Sequence, residues 1–141
     1  MRRAASSLAI IALAGAGMTL VLVGCGGAAY SGRLVRVTVE DFRIKAPKQV
    51  RAGAVEFLVH NKGPDAHEFI VVRAMGTLPL RGDGVTADED AFESHTVGVL
   101  EPGAPGGTRH LRVKLRPGEY ELICNMSGHY LGGMRALIEV T

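Results

Sequence analysis

Cysteine and net charge are what this 141-residue sequence has little of. It holds two cysteines, Cys25 and Cys124, too few for an iron–sulfur cluster, which needs several thiolates. Charge of one sign is nearly balanced, with 16 Lys and Arg against 14 Asp and Glu. Two of the arginines, Arg2 and Arg3, belong to an N-terminal segment that reads as removed, which leaves a formally neutral chain. A neutral domain lacks the basic face that nucleic acid demands, and it gives no strong long-range steering of a partner. Internal repeats are missing, and so is low-complexity sequence beyond one short glycine-rich stretch. No apolar run reaches the ~20 residues of a membrane-spanning helix. The longest, Leu8 to Val23, is about 16 residues and contains Gly15 and Gly17.

That run is preceded by the two arginines and followed by Leu22-Val23-Gly24-Cys25. A basic start, an apolar stretch and small residues at a cleavage point describe an export signal. The tetrapeptide resembles the lipobox of bacterial lipoproteins, cut before a cysteine that then carries lipid. The expectation is a signal peptide over 1–24, lipid on Cys25, a flexible tether over 25–32 and one domain over 33–141. A plain transmembrane anchor is the alternative, and the short run disfavours it. Either reading places everything after Cys25 outside the cytoplasm, in the cell envelope of a bacterium. Cys124 is then a leftover thiol in an oxidising compartment, which calls for intermolecular pairing, a free thiol or a metal.

From Arg33 onward the dominant period is two. Val35, Val37 and Val39 alternate with polar residues, as do Val55, Phe57 and Val59, and Leu111, Val113 and Leu115. Each is a half-buried strand. Phe69-Ile70-Val71-Val72 is continuously apolar, as a strand buried on both faces or in a sandwich core would be. Tyr120, Leu122 and Cys124 share one face of a later strand, and Met134 to Thr141 forms the last. Residues 75–107 are rich in Gly, Pro and acid. Thr86 and Glu89 have capping-box spacing, which predicts a short acidic helix through about Glu93. This excursion is either a lid or partner surface, or a bland elaboration. The pattern predicts an all-β Greek-key sandwich of seven or eight strands with one short helical excursion.

The chemistry concentrates in Cys124-Asn-Met-Ser-Gly-His129-Tyr-Leu-Gly-Gly-Met134. Thiolate and thioether are soft donors and imidazole is intermediate, a set that suits copper in both Cu(I) and Cu(II). Zinc sites rarely recruit methionine. A trigonal copper site needs a second imidazole. Of the remaining histidines, His60 and His110 fall out of phase with their strands and face water, and His95 ends the acidic helix. His67 differs. It follows the turn Asn61-Lys-Gly-Pro-Asp65 and immediately precedes the apolar strand, where a loop from another strand can meet it.

Together, the segment Asn61 to Phe69 and the Cys-x4-His-x4-Met loop resemble the cupredoxins, or blue copper proteins. The loop spacing is most similar to rusticyanin and the sulfocyanins, and the resemblance covers roughly Val35 to Val140. It implies a β-sandwich with one type 1 copper at its end, His67, Cys124 and His129 as equatorial ligands, and Met134 as the axial one. It also implies single-electron transfer through the edge of His129. The neighbouring Met126, Tyr130 and Leu131 form a small apolar docking patch for transient redox partner proteins, or else one or more of them pack inward, Tyr130 first. Glu68 departs from the Asn common among relatives at that position. The expected protein is a monomeric, lipid-anchored electron carrier rather than an enzyme. Copper acquisition, delivery or storage is the alternative. Nitrite reductases and multicopper oxidases need further copper ligands, and a binuclear centre needs two loop cysteines.

Overall fold

Alternating apolar residues build two facing sheets in the computed structural model, which describes residues 31–141. The expected signal peptide over 1–24, the expected lipid site Cys25 and most of the expected tether lie outside the described residues. Nine strands are present among them: β1 (Arg33–Glu40), β2 (Arg43–Lys45), β3 (Gln49–Val50), β4 (Gly53–Gly63), β5 (His67–Arg73), β6 (Thr96–Gly103), β7 (Thr108–Leu115), β8 (Gly118–Ile123) and β9 (Arg135–Val140). One sheet has the order β2-β1-β4-β7, the other β3-β9-β8-β5-β6. The two-residue β3 and three-residue β2 carry the count past the expected seven or eight, being too short to leave a periodic signal.

The inward residues of both sheets form the main core. Val35, Val37 and Val39 meet Val55, Phe57, Val59, Leu111, Val113 and Leu115 from one sheet, and Phe69, Val71, Tyr120 and Leu122 from the other. Phe57 and Phe69 pack edge to face across the gap at 5.5 Å, a geometry worth about 0.5–1.5 kcal/mol beyond area burial. The Tyr120 hydroxyl donates to Arg116 O at 3.0 Å and accepts Arg116 N–H at 3.1 Å, fixing the turn between β7 and β8.

Strand β5 is continuously apolar from Phe69 to Val72 because both of its faces are covered there. Phe69 and Val71 face the sandwich, while Ile70 and Val72 join Leu78, Ala87, Phe92, Ile123 and Tyr130 in a second, outer core. The excursion supplies that cover, so residues 77–92 form a wall over the sheet. Its helix α1 (Glu89–Phe92) is shorter than the acidic pattern suggests and continues as a 3-10 turn over Glu93–His95. Thr86 does not cap it. The Thr86 hydroxyl donates to Asp83 Oδ2 within a turn, and Asp88 occupies the cap position.

Strand β6 lies within the same excursion and pairs with β5 as the sheet edge. Its exposed Val97 and Val99 alternate with Gly98, whose missing side chain makes room for Val113 and Leu111. With glycine where an inward apolar residue would stand, the period-two signal fades.

The wall is fastened through Asn125. Its Oδ1 accepts Ala87 N–H at 2.8 Å, and its Nδ2 donates to Ala87 O at 3.0 Å and to Glu89 Oε1 at 2.8 Å. The Asn125→Ala substitution strands both polar groups of Ala87 in the interior, at a cost of about 2–3 kcal/mol. Urea unfolding of the metal-free protein measures it; an unchanged midpoint would show that the wall is anchored elsewhere.

Candidate metal centre

Two strand ends and one loop converge at one end of the sandwich. Strand β5 pairs antiparallel with β8, Ile70 opposite Ile123. Continuing that register places Phe69 beside Cys124 and Glu68 beside Asn125. His67, the first residue of β5, therefore reaches the loop that leaves β8. Strands β8 and β9 pair up to Ile123 and Arg135, and Cys124 N–H donates to Met134 O at 3.1 Å. The loop's two ends are thus held by the sheet itself.

Between them the loop is a series of tight turns. His129 N–H bonds to Met126 O, Gly132 N–H to Gly128 O, and Met134 N–H to His129 O, all at 2.8–2.9 Å. Gly128 and Gly133 take positive φ, 80° and 97°, a region that favours glycine. Gly132 is needed for space instead: a Cβ there would sit 2.4 Å from Phe42 Cδ1.

The result is a preformed donor set. One ligand atom each from His67, Cys124 and His129 lies within 4.8 Å of the others, and Cys124 Sγ is 3.4 Å from His129 Nδ1. His67, Cys124 and Met134 are fully buried, and His129 is 9% exposed. Neither ring nitrogen of His67 has an aligned hydrogen bond; Nε2 has the Asp41 carboxylate at 3.0 Å. Buried polar atoms without partners are costly, and donors gathered around a thiol find their partner in a soft cation. One copper ion fits this set. Among the described residues no other group of His, Cys, Asp and Glu forms such a cluster.

Burial pushes the Cys124 thiol up, against hydrogen bonds that its sulfur receives from the Met126 and Glu68 amides. Those amides are placed to stabilise the thiolate once it forms. His67 moves down, chiefly through burial and then through the neighbouring His129, with Asp41 opposing. Burial raises the Glu68 carboxyl, which accepts the Asn125 N–H at 3.1 Å. Glu68 therefore ties the His67 strand to the cysteine loop through its side chain as well as its amide.

His60, His95 and His110 stand outside the cluster. His60 bonds to Thr108, His110 to Glu56 and His95 to Ser94, all at exposed positions. Of the expected docking residues, Leu131 is 53% exposed and Met126 half-buried. Tyr130 is corrected. It is 4% exposed, turned into the outer core, with its hydroxyl bonded to Leu78 N–H and Arg135. Sequence reading missed Phe42, 53% exposed, whose ring meets His129 edge-on at 5.6 Å. It missed Asp41 as well. Both sit in a turn whose nearness to the site depends on β1 pairing parallel with β4, Glu40 opposite Gly63.

Comparison with known proteins bears on fold alone. No protein-family model matches the sequence, and no curated protein matches it. Solved structures do. Reduced auracyanin from Roseiflexus castenholzii superposes with a TM-score of 0.61 at 15% identity, covering 78% of this chain and 98% of its own. Rusticyanin from Thiobacillus ferrooxidans gives 0.59 at 16%, covering 79% and 80%. The fold is that of the cupredoxins. A third cupredoxin, auracyanin A from Chloroflexus aurantiacus, described as a "blue" copper protein, gives 0.53 at 18%, covering 75% and 99%. Set in this fold, the His-Cys-His-Met donors fit a type 1 copper site.

Copper needs the thiolate, and the metal-free thiol is protonated at neutral pH because its pKa is raised. Uptake at pH 7 should release about one proton per ion, so apparent affinity climbs about tenfold per pH unit. His67, with its pKa lowered by burial, is already neutral there and adds a second proton only in more acidic solution than an ordinary histidine would need. Calorimetry in buffers of different ionisation enthalpy counts the protons, and a count of zero at pH 7 would contradict the thiolate assignment.

Proposed function

We propose that this protein is a membrane-tethered carrier of single electrons, with one type 1 copper held by His67, Cys124 and His129 and capped by the weaker donor Met134. The observation that supports it is preassembly: the three donors stand within 4.8 Å of one another on strand ends and a pinned loop. When bound, copper supplies a one-electron couple. A one-electron couple exchanges fastest where the ligands barely move between states, and a loop anchored at both ends by the β8–β9 pairing restrains them.

The chain's own groups divide the work. Met126 and Glu68 amides hold the sulfur, the apolar core around Cys124 and Met134 excludes water, and His129 alone of the four reaches the surface. Electrons leave by the His129 edge, beside the Phe42 ring. The exposed Phe42 and Leu131 and the half-buried Met126 make the small apolar contact for transient redox partners, which need little buried area. Four protein donors leave no open position for a substrate, unlike catalytic metal sites, in keeping with a carrier rather than an enzyme. The Cys25 lipid and the extracytoplasmic location rest on the lipobox and the apolar run that precedes it.

The experiment that separates this reading from copper delivery cycles the copper-loaded protein between oxidised and reduced states beside a Cu(I) chelator. Full return of the visible band over repeated cycles is expected; loss of the metal on first reduction would favour delivery. Two substitutions test the ligand roles. Cys124→Ser should abolish the intense visible charge-transfer band, and a persisting band would sink the assignment. Met134→Gln would replace a soft, weak donor with a harder oxygen, so copper should stay and the reduction potential should fall. An unchanged potential would argue that Met134 is not a donor to the copper.

A further inference from the structure

Two adjacent residues outside the donor set face its two imidazoles. Asp41 and Phe42 form the turn between β1 and β2. Asp41 Oδ1 lies 3.0 Å from His67 Nε2 and also accepts the Asp65 N–H at 3.4 Å. Phe42, at φ 59°, sets its ring against His129. A bulky residue rarely adopts that backbone, and such positions persist where the surroundings over-determine them. Here Gly132 packs under the phenyl ring and the Phe42 carbonyl faces Gly133. The turn is locked onto the ligand loop.

We propose that Asp41 is a positioning residue of the metal centre: its carboxylate keeps the His67 proton on Nε2, leaves Nδ1 bare for the ion, and biases that ion toward Cu(II). The proposal rests on the copper reading of the site. The tautomer follows from charge. A lone pair on Nε2 pointing at a carboxylate 3.0 Å away is repelled, whereas an N–H there is attracted. A carboxylate on the far ring nitrogen also fixes ring orientation and raises ligand basicity. The bias follows from Coulomb's law: a fixed negative charge favours the doubly over the singly charged ion. At 26% side-chain exposure, solvent screens that field only in part.

The two effects separate by substitution. Asp41→Asn keeps an acceptor beside Nε2 and removes the charge; Asp41→Ala removes both. In the metal-free protein, 15N NMR of the His67 ring reads the tautomer directly. It should stay Nε2–H in the wild type and in Asp41→Asn, and become mixed in Asp41→Ala. In the copper-loaded protein, both variants should shift the Cu(I) to Cu(II) ratio at fixed potential about tenfold toward Cu(I). Glu119→Gln, at the opposite end of β8, should move neither reading. An unchanged tautomer in Asp41→Ala, or an unchanged ratio in both Asp41 variants, overturns the proposal. A wild-type chain that takes no copper overturns the reading beneath it, and the NMR measurement then decides the tautomer claim alone.

Discussion

A buried thiol beside two imidazoles, one with both ring nitrogens lacking an aligned hydrogen bond, is the constraint on which the rest of this structure depends. Without a cation, the arrangement costs desolvation at three polar groups. With one, the same burial becomes useful, because a dry, rigid shell limits ligand movement and tunes the couple. The surrounding architecture keeps these donors in place. Strand β5 delivers His67, the β8–β9 pairing pins both loop ends, and Glu68 and Asn125 stitch the two together.

The excursion between β5 and β7 belongs to that support. Its wall residues Leu78, Ala87 and Phe92 cover the outer face of β5, and Tyr130 of the ligand loop turns into the same cluster. Gly128 N–H reaches the Val85 carbonyl at 3.2 Å, and Asn125, next to the cysteine, holds Ala87 and Glu89. The copper loop is thus clamped between the sandwich core on one side and an added layer on the other. An outer layer of this kind resists the loop motion that would open a metal site to exchange.

Much of this was legible in the sequence, for identifiable reasons. Val35, Phe57 and Leu111 announce their strands because one face of each meets water, and the ligand loop is local enough for spacing to carry it. The continuous Phe69–Val72 run signalled double-sided burial without saying what covers the second face. Strand β6 hid because glycine replaces an inward apolar side chain. The Thr86–Glu89 spacing located the short helix but not its cap, since Asp83 competes for the Thr86 hydroxyl and Asp88 takes the cap position. Tyr130 stands in a loop with no period, so the sequence left both a docking role and inward packing open for it, and the outer core takes it. Asp41 and Phe42 were out of reach for a different reason: their place depends on a parallel pairing between strands separated in sequence, which no local pattern encodes.

The central claim is that these four side chains hold one copper ion through a thiolate. Titrating the metal-free protein with Cu(II), followed by visible absorption and electron paramagnetic resonance, tests it most directly. An intense visible band that saturates at about one ion per chain, with a single paramagnetic species, is the result expected of a thiolate-bound mononuclear site. A weakly coloured product, or binding that continues without a break past one equivalent, would contradict it.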